Sequence, residues 1–231
     1  MNVIYLVLNS KTLTDMKIFL DTADTDVIRK NFATGLVDGL TTNPTLIKKS
    51  GRDPLDVYQE LKDLGVPDIS MEVVGNADKM IYEGKKLAVA YGKCCTVKVP
   101  CSVDGLRACK ELSDDGIKVN VTLIFSQAQA ILSAKAGAKY VSPFVGRVDD
   151  NSFGGICLVK DIVKVFKEHF VRTEVLAASI RNVRDVGRLF EHGSDIVTMP
   201  PAVFEKMYNH ILTDKGLELF EADWNSVTHN P

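Results

Sequence analysis

Residues 94–99, CCTVKV, and 117–123, IKVNVTL, flank an interval of helical period, and this strand–helix–strand reading decides the fold. Both runs are rich in β-branched residues and alternate along one period of two. In the first, Thr96 and Lys98 share a face opposite Cys95, Val97 and Val99. In the second, Asn120 and Thr122 oppose Val119, Val121 and Leu123. Two such strands joined by a helix form a parallel unit, whose outer face the helix covers. The polar side chains must then face an enclosed interior.

The same pattern recurs outward in both directions. Further strands are predicted at 16–21, 37–42, 68–73, 139–145, 173–179 and 194–198, making eight. Helices lie between them with readable start and stop signals. Asp53-Pro54 opens one, carrying Val57, Leu61 and Leu64 and stopped by Gly65. Ser126 and Gln129 form a capping box, and Asn182 opens a helix with Val183, Val186 and Leu189. Thr213 is expected to cap a last helix, 213–224, with Leu217, Phe220 and Trp224 on one face. Eight strand–helix units over this length imply an α/β fold, a single-domain (β/α)8 TIM barrel at 16–227 with an extra C-terminal helix. An open doubly wound sheet is the alternative, but D-T-A-D-T-D follows the first strand where G-x-G-x-x-G would be expected.

Composition narrows the function. The chain has 231 residues, 45% hydrophobic and 25% charged, with a net charge of −2. No basic surplus exists to meet a phosphate backbone, so nucleic acid is not an expected partner. No apolar run approaches the ~20 residues of a membrane span. Five cysteines (94, 95, 101, 109 and 157) lack C-x-x-C spacing, and four histidines (169, 192, 210 and 229) lack H-E-x-x-H spacing. Free thiols in a reducing, cytoplasmic setting fit better than disulfides or a metal site. The apolar run at 3–8 is too short for a signal-peptide core. Residues 1–15 are read as an extension, with Met16 as the natural start.

Strand parity selects an inward set whose polar members sit at the C-terminal strand ends, where barrel enzymes hold their sites. Phe19 and Asp21 come from the first strand, Ser70 and Glu72 from the third, Thr96 and Lys98 from the fourth. Asn120 and Thr122 follow from the fifth, Ser142 and Phe144 from the sixth, Ala177 and Ser179 from the seventh. Burying carboxylates and an ammonium costs several kcal/mol per ion unless they pair or perform chemistry. Lys98, bracketed by valines, is the sharpest signal. Desolvation favours a neutral amine, which attacks ketones and aldehydes to form a Schiff base. Asp21 and Glu72 are both candidates to move protons. The alternative for all three is a buried structural ion pair. Arg147, Ser179 and Arg181, near a helix N-terminus, suit a phosphate monoester.

Several stretches resemble the transaldolase family, especially its short members grouped with fructose-6-phosphate aldolase. They are F-L-D-T-A at 19–23, G-L-T-T-N-P-T at 39–45, T-V-K-V-P at 96–100 and V-N-V-T-L-I-F at 119–125. Y-V-S-P-F-V-G-R at 140–147, L-A-A-S-I-R at 176–181 and L-T-D-K-G…F-x-A-D-W at 212–224 complete the series. The resemblance implies a class I aldolase with Lys98 as Schiff-base lysine and Asp21 as main acid/base. Thr42 and Asn43 would contact substrate or hold the lysine region. Asn120 and Thr122 would orient the intermediate and a water, and Arg147, Ser179 and Arg181 would bind phosphate. It further implies sugar-phosphate substrates, a place in the pentose phosphate pathway, no cofactor or metal, and homo-oligomers, pentamers often paired into decamers, built with the C-terminal helix. Fructose-6-phosphate aldolases resemble this chain but carry Gln where Glu72 stands and Tyr where Phe144 stands. Glu72 and Phe144 therefore point to transaldolase, with the aldolase as runner-up and a non-catalytic sugar-phosphate-binding barrel as the remaining rival.

Overall fold

The computed structural model describes residues 16–228. The expected extension at 1–15 lies outside them. Eight parallel strands close into a barrel in sequence order: β1 Lys17–Asp21, β2 Gly39–Thr41, β3 Ile69–Glu72, β4 Cys95–Pro100, β5 Val119–Ile124, β6 Tyr140–Pro143, β7 Glu174–Ala177 and β8 Ile196–Met199. Each predicted strand is present, with each end within two residues of its expected position. The helices are α1 Thr25–Phe32, α2 Pro44–Ser50, α3 Pro54–Asp63, α4 Ala77–Tyr91, α5 Val103–Asp114, α6 Gln127–Lys135, α7 Val145–Asp150, α8 Gly155–Glu168, α9 Val183–Glu191, α10 Pro201–Lys206 and α11 Ile211–Thr228.

The sequence signals act as expected at most helix starts. Asp53, Asn76, Ser126 and Asn182 each accept a backbone N–H of the helix they open. Such a bond satisfies one of the orphan donors of a first turn, and its loss costs about 1 kcal/mol. The last helix is a correction. It starts two residues before Thr213, and His210 Nδ1 accepts the Leu212 N–H at 3.2 Å. A ring nitrogen does the work assigned to a hydroxyl.

The main core lies between sheet and helices. Leu40, Ile69, Met71, Val97, Val99, Val121 and Val141 point outward from the strands and pack on Ile28, Leu61, Met80 and Leu112 of the helices. Each such side chain contributes roughly 1.5–3 kcal/mol through burial. A second, smaller cluster fills the barrel itself: Phe19, Tyr140, Leu176, Ala178 and Ile196, with Phe144 packed against it. Here the seventh strand departs from expectation. Leu176 and Ala178 face inward, and Ala177 packs in the outer core.

Polar side chains stack in layers inside the ring. At the floor, the Asp68 carboxylate accepts Thr96 Oγ1 at 2.8 Å, Lys118 Nζ at 2.7 Å and Tyr140 OH at 3.0 Å. One layer up, Asn120 Nδ2 donates to Ser70 Oγ at 3.1 Å and Ser142 Oγ donates to Asn120 Oδ1 at 2.7 Å. These bonds satisfy the buried groups and lock the four middle strands in register. Gly39 is required beside them, since a Cβ there would lie 2.6 Å from Phe19 Cζ and 2.7 Å from the Asp68 carbonyl oxygen.

Helix α11 stands apart from this packing. Leu217, Phe220 and Trp224 are 61%, 70% and 69% exposed, so the apolar face expected from the sequence exists and is largely exposed among the described residues. Among the described residues no helix is long and apolar enough to cross a membrane.

Candidate active site

The top layer of the barrel carries the chemistry. Lys98 and Glu72 are register partners on β4 and β3. Lys98 Nζ lies 3.0 Å from Glu72 Oε2 and donates to the Thr42 carbonyl oxygen at 2.7 Å. Lys98 is only 5% exposed. A valine on either side turns outward into the core, which forces the lysine inward, as alternation predicts.

Asp21 ends β1 with its carboxylate in the same space. Thr41 Oγ1 donates to Asp21 Oδ1 at 2.7 Å, and Thr41 Oγ1 also meets Thr198 Oγ1 at 2.7 Å. Burial lifts the Asp21 carboxyl above its ordinary 3.8, outweighing the nearby Lys98 charge and the Thr41 hydrogen bond, both of which act downward. A carboxyl with a raised pKa next to a lysine holds a proton more readily than an ordinary carboxyl and suits a role in giving and taking one.

A cavity of about 110 Å³ opens over these residues, lined by Asp21, Thr41, Asn43, Lys98, Thr122, Ser142, Phe144, Arg147, Ala178, Ser179 and Thr198. Its most informative atom is Thr122 Oγ1, which is buried and has no hydrogen-bond partner. A buried unpaired hydroxyl costs about 1–3 kcal/mol, so it is a group held ready for a ligand or a water. The strand distorts just beyond it: Leu123 adopts φ +60° where the β5–β6 register shifts.

Eight of the twelve candidate site residues line this cavity; Glu72, Thr42, Asn120 and Arg181 do not, and Glu72 instead faces the groove between α3 and α4. Thr42 turns its hydroxyl away from the cavity, to Tyr58 OH at 3.1 Å and the Ser70 carbonyl at 3.0 Å, and offers Lys98 its carbonyl instead. Asn120 lies a layer below, where it braces Ser70 and Ser142. Ser179 reaches the cavity although its strand parity is wrong, because its backbone takes the left-handed region at φ +61°. The β6–β7 ends are pressed together there: a Cβ on Gly146 would lie 2.4 Å from the Ser179 carbonyl oxygen and 2.7 Å from Arg181 Nε. Arg181 is turned into a bidentate ion pair with Asp150. Arg147 remains at the cavity, its guanidinium 4.9 Å from the centre of the Phe144 ring. That ring also meets Phe125 edge-on at 5.8 Å.

Sequence reading missed Thr41 and Thr198, which orient Asp21. Threonine is common in strands for its shape alone, so neither carried a signal. The cysteines stay outside the chemistry. Burial pushes the Cys95 thiol up to about 12 and Cys109 up to about 11, which leaves both as inert apolar groups.

Comparison with known proteins agrees with this architecture. The chain resembles a thiamine phosphate pyrophosphorylase from Pyrococcus furiosus in fold alone, with a TM-score of 0.54 and 15% identity over 80% of this chain and 86% of the other. Much nearer in sequence is a probable transaldolase of Cereibacter sphaeroides, 53% identical over 90% of this chain and 95% of the relative. Probable transaldolases of Paracoccus denitrificans, 53% identical over 90% and 96%, and Caulobacter vibrioides, 52% identical over 92% and 98%, are equally similar. The family model described as transaldolase/fructose-6-phosphate aldolase matches residues 18–230. With that match spanning nearly the whole barrel and a buried lysine paired with a carboxylate at the strand ends, the chain belongs to the transaldolase/fructose-6-phosphate aldolase family.

Proposed function

We propose that this protein is a transaldolase that moves a dihydroxyacetone unit from a ketose phosphate, fructose 6-phosphate or sedoheptulose 7-phosphate, to an aldose phosphate. The observation that carries the reading is Lys98: an amine 5% exposed at the cavity wall, 3.0 Å from a carboxylate.

The neutral amine attacks the C2 carbonyl of the donor to form a carbinolamine. Loss of water, with a proton supplied to the departing hydroxyl, leaves an iminium ion. Asp21 takes the proton of the C4 hydroxyl, the C3–C4 bond breaks, and its electrons enter the iminium to form an enamine. The C4 carbonyl fragment leaves as an aldose phosphate. A second aldose phosphate then adds by the reverse sequence, and water returns through the carbinolamine to free Lys98. Glu72 and Thr122 handle the water steps, the first as proton carrier and the second through its unpaired hydroxyl. Arg147 and Ser179 receive the phosphate, with Arg181 joining them on release from Asp150.

Phe144 supports transfer over release. It presents a bare ring to the cavity, with no hydroxyl to protonate the enamine, so the enamine persists until an aldehyde arrives. The uncovered face of α11 supports assembly with further copies of the chain.

Borohydride reduction in the presence of fructose 6-phosphate tests the core of the reading. A dihydroxyacetone-derived mass increment on Lys98 is expected, with no free dihydroxyacetone, together with glyceraldehyde 3-phosphate release that stays slow unless erythrose 4-phosphate is supplied to accept the unit as sedoheptulose 7-phosphate. Release at the same rate without an acceptor would make the protein an aldolase. No adduct at Lys98 would refute covalent chemistry altogether.

A further inference from the structure

A residue outside the barrel bonds to one of the two groups that hold the lysine and shares a groove with the other. Tyr58 lies on α3 and is 4% exposed, its ring edge-on to Tyr91 at 5.9 Å. Its hydroxyl bonds to Thr42 Oγ1 at 3.1 Å, and Glu72 lines the same groove as Tyr58. Thr42 Oγ1 donates in turn to the Ser70 carbonyl at 3.0 Å, which leaves the tyrosine to donate to the threonine. Thr42 and Glu72 are the two residues whose oxygens contact Lys98 Nζ. Strand β2 ends at Thr41, one residue short of Thr42, and Thr42 is held to β3 at the Ser70 carbonyl, which also accepts its backbone N–H at 3.2 Å.

We infer that Tyr58 is a positioning residue for Lys98: its phenol hydroxyl braces Thr42 at the end of β2 from the helix side and thereby sets where the Thr42 carbonyl holds the amine beside Glu72. Tyr58 touches no substrate. It lines a groove of about 500 Å³ between α3 and α4, into which Glu72 also looks from behind the catalytic cavity. The inference rests on the Schiff-base reading above, and the two are separable by experiment.

Removing the hydroxyl alone leaves the ring and its packing in place. Tyr58→Phe is expected to lower kcat about tenfold and to slow borohydride trapping at Lys98 equally, while KM for fructose 6-phosphate stays within about twofold. Thr42→Val removes the other half of the link and is expected to match that loss, whereas Thr42→Ser retains activity. The double variant Tyr58→Phe/Thr42→Val is expected to be no slower than either single variant, the signature of one shared interaction. Tyr91→Phe is the control: it removes a tyrosine hydroxyl bond of similar kind, to the Leu55 carbonyl, without a link to Lys98, and its kcat is expected to be unchanged. Should Tyr58→Phe fail to fold, the Thr42→Val and Thr42→Ser pair reads the same link. Wild-type trapping and kcat in Tyr58→Phe, or losses that multiply in the double variant, would overturn the inference. An unlabelled Lys98 in the wild-type protein would instead overturn the Schiff-base reading before Tyr58 enters.

Discussion

Glu72 and Lys98 sit side by side on neighbouring strands, register-paired, with Oε2 and Nζ 3.0 Å apart and both side chains largely buried. A buried pair is weak evidence for stability, because desolving the two ions offsets most of their attraction. Lys98 shares the cavity with a third ionisable group, Asp21, while Glu72 backs the amine from outside it, an arrangement of groups able to pass protons.

Glu72→Gln keeps the shape of that pair and removes the proton acceptor. Trapping at Lys98 should still occur, but kcat for transfer should fall by roughly 10²–10³, the usual worth of a placed acid or base. Steady-state transfer assays with mass analysis of the reduced adduct measure both. Full activity in the Gln variant would remove Glu72 from the mechanism.

Asp21 makes a prediction about stability as a function of pH. Its carboxyl is raised in the folded protein, so the folded state binds the proton more tightly than the unfolded chain. Stability contributed by that proton is complete below the unfolded value of about 3.8 and is lost as pH rises through the folded one. Asp21→Asn retains an oxygen to accept from Thr41 and escapes this loss. Thermal melts should show the variant more stable than wild type at neutral pH, with the advantage vanishing towards pH 4. Transfer should be slower by roughly 10²–10⁴. A stability difference independent of pH would show that Asp21 is not raised.

Thr122→Val separates stability from function in one substitution. Valine has nearly the same shape and lacks the unpaired hydroxyl. The variant should gain about 1 kcal/mol in denaturant unfolding, because a buried orphan oxygen is gone. Its kcat should fall roughly 10- to 100-fold, the worth of about one to two hydrogen bonds made on the way to the transition state. A loss of stability would mean that the hydroxyl has a structural partner.

These residues were readable from the sequence to different depths, for physical reasons. Lys98 announces itself because a charge between two valines has no other place in a covered strand. Asp21, Glu72 and Thr122 follow from the same alternation. The seventh strand does not, since L-A-A-S offers no contrast of polar and apolar positions, and Ser179 enters the cavity only through a backbone torsion of +61°. The Arg181–Asp150 pair joins positions 31 residues apart, which no local pattern encodes. Thr41 and Thr42 are identical neighbours, yet one hydroxyl holds Asp21 and the other meets Tyr58 on a helix. Local periodicity shows which face a residue takes, and tertiary pairing shows what it meets there.

The phosphate site yields the last prediction. Three residues were expected to form it, but only Arg147 presents a guanidinium to the cavity, stacked on Phe144, while Arg181 is held by Asp150. On the proposed reading Arg147 supplies the dominant charge-assisted bond to the substrate's phosphate, worth about 1.5–3 kcal/mol. Arg147→Ala should raise KM for fructose 6-phosphate by roughly 10- to 100-fold with a smaller change in kcat, the mark of an interaction made equally in ground and transition states. KM for unphosphorylated fructose should hardly change, so the variant loses its preference between the two sugars. Arg181→Ala should weaken phosphate binding less, because the wild-type side chain must first leave Asp150. Paired kinetics on both sugars with both variants decide the matter: an equal loss on fructose and its phosphate would take Arg147 out of phosphate recognition and return it to a packing role against Phe144.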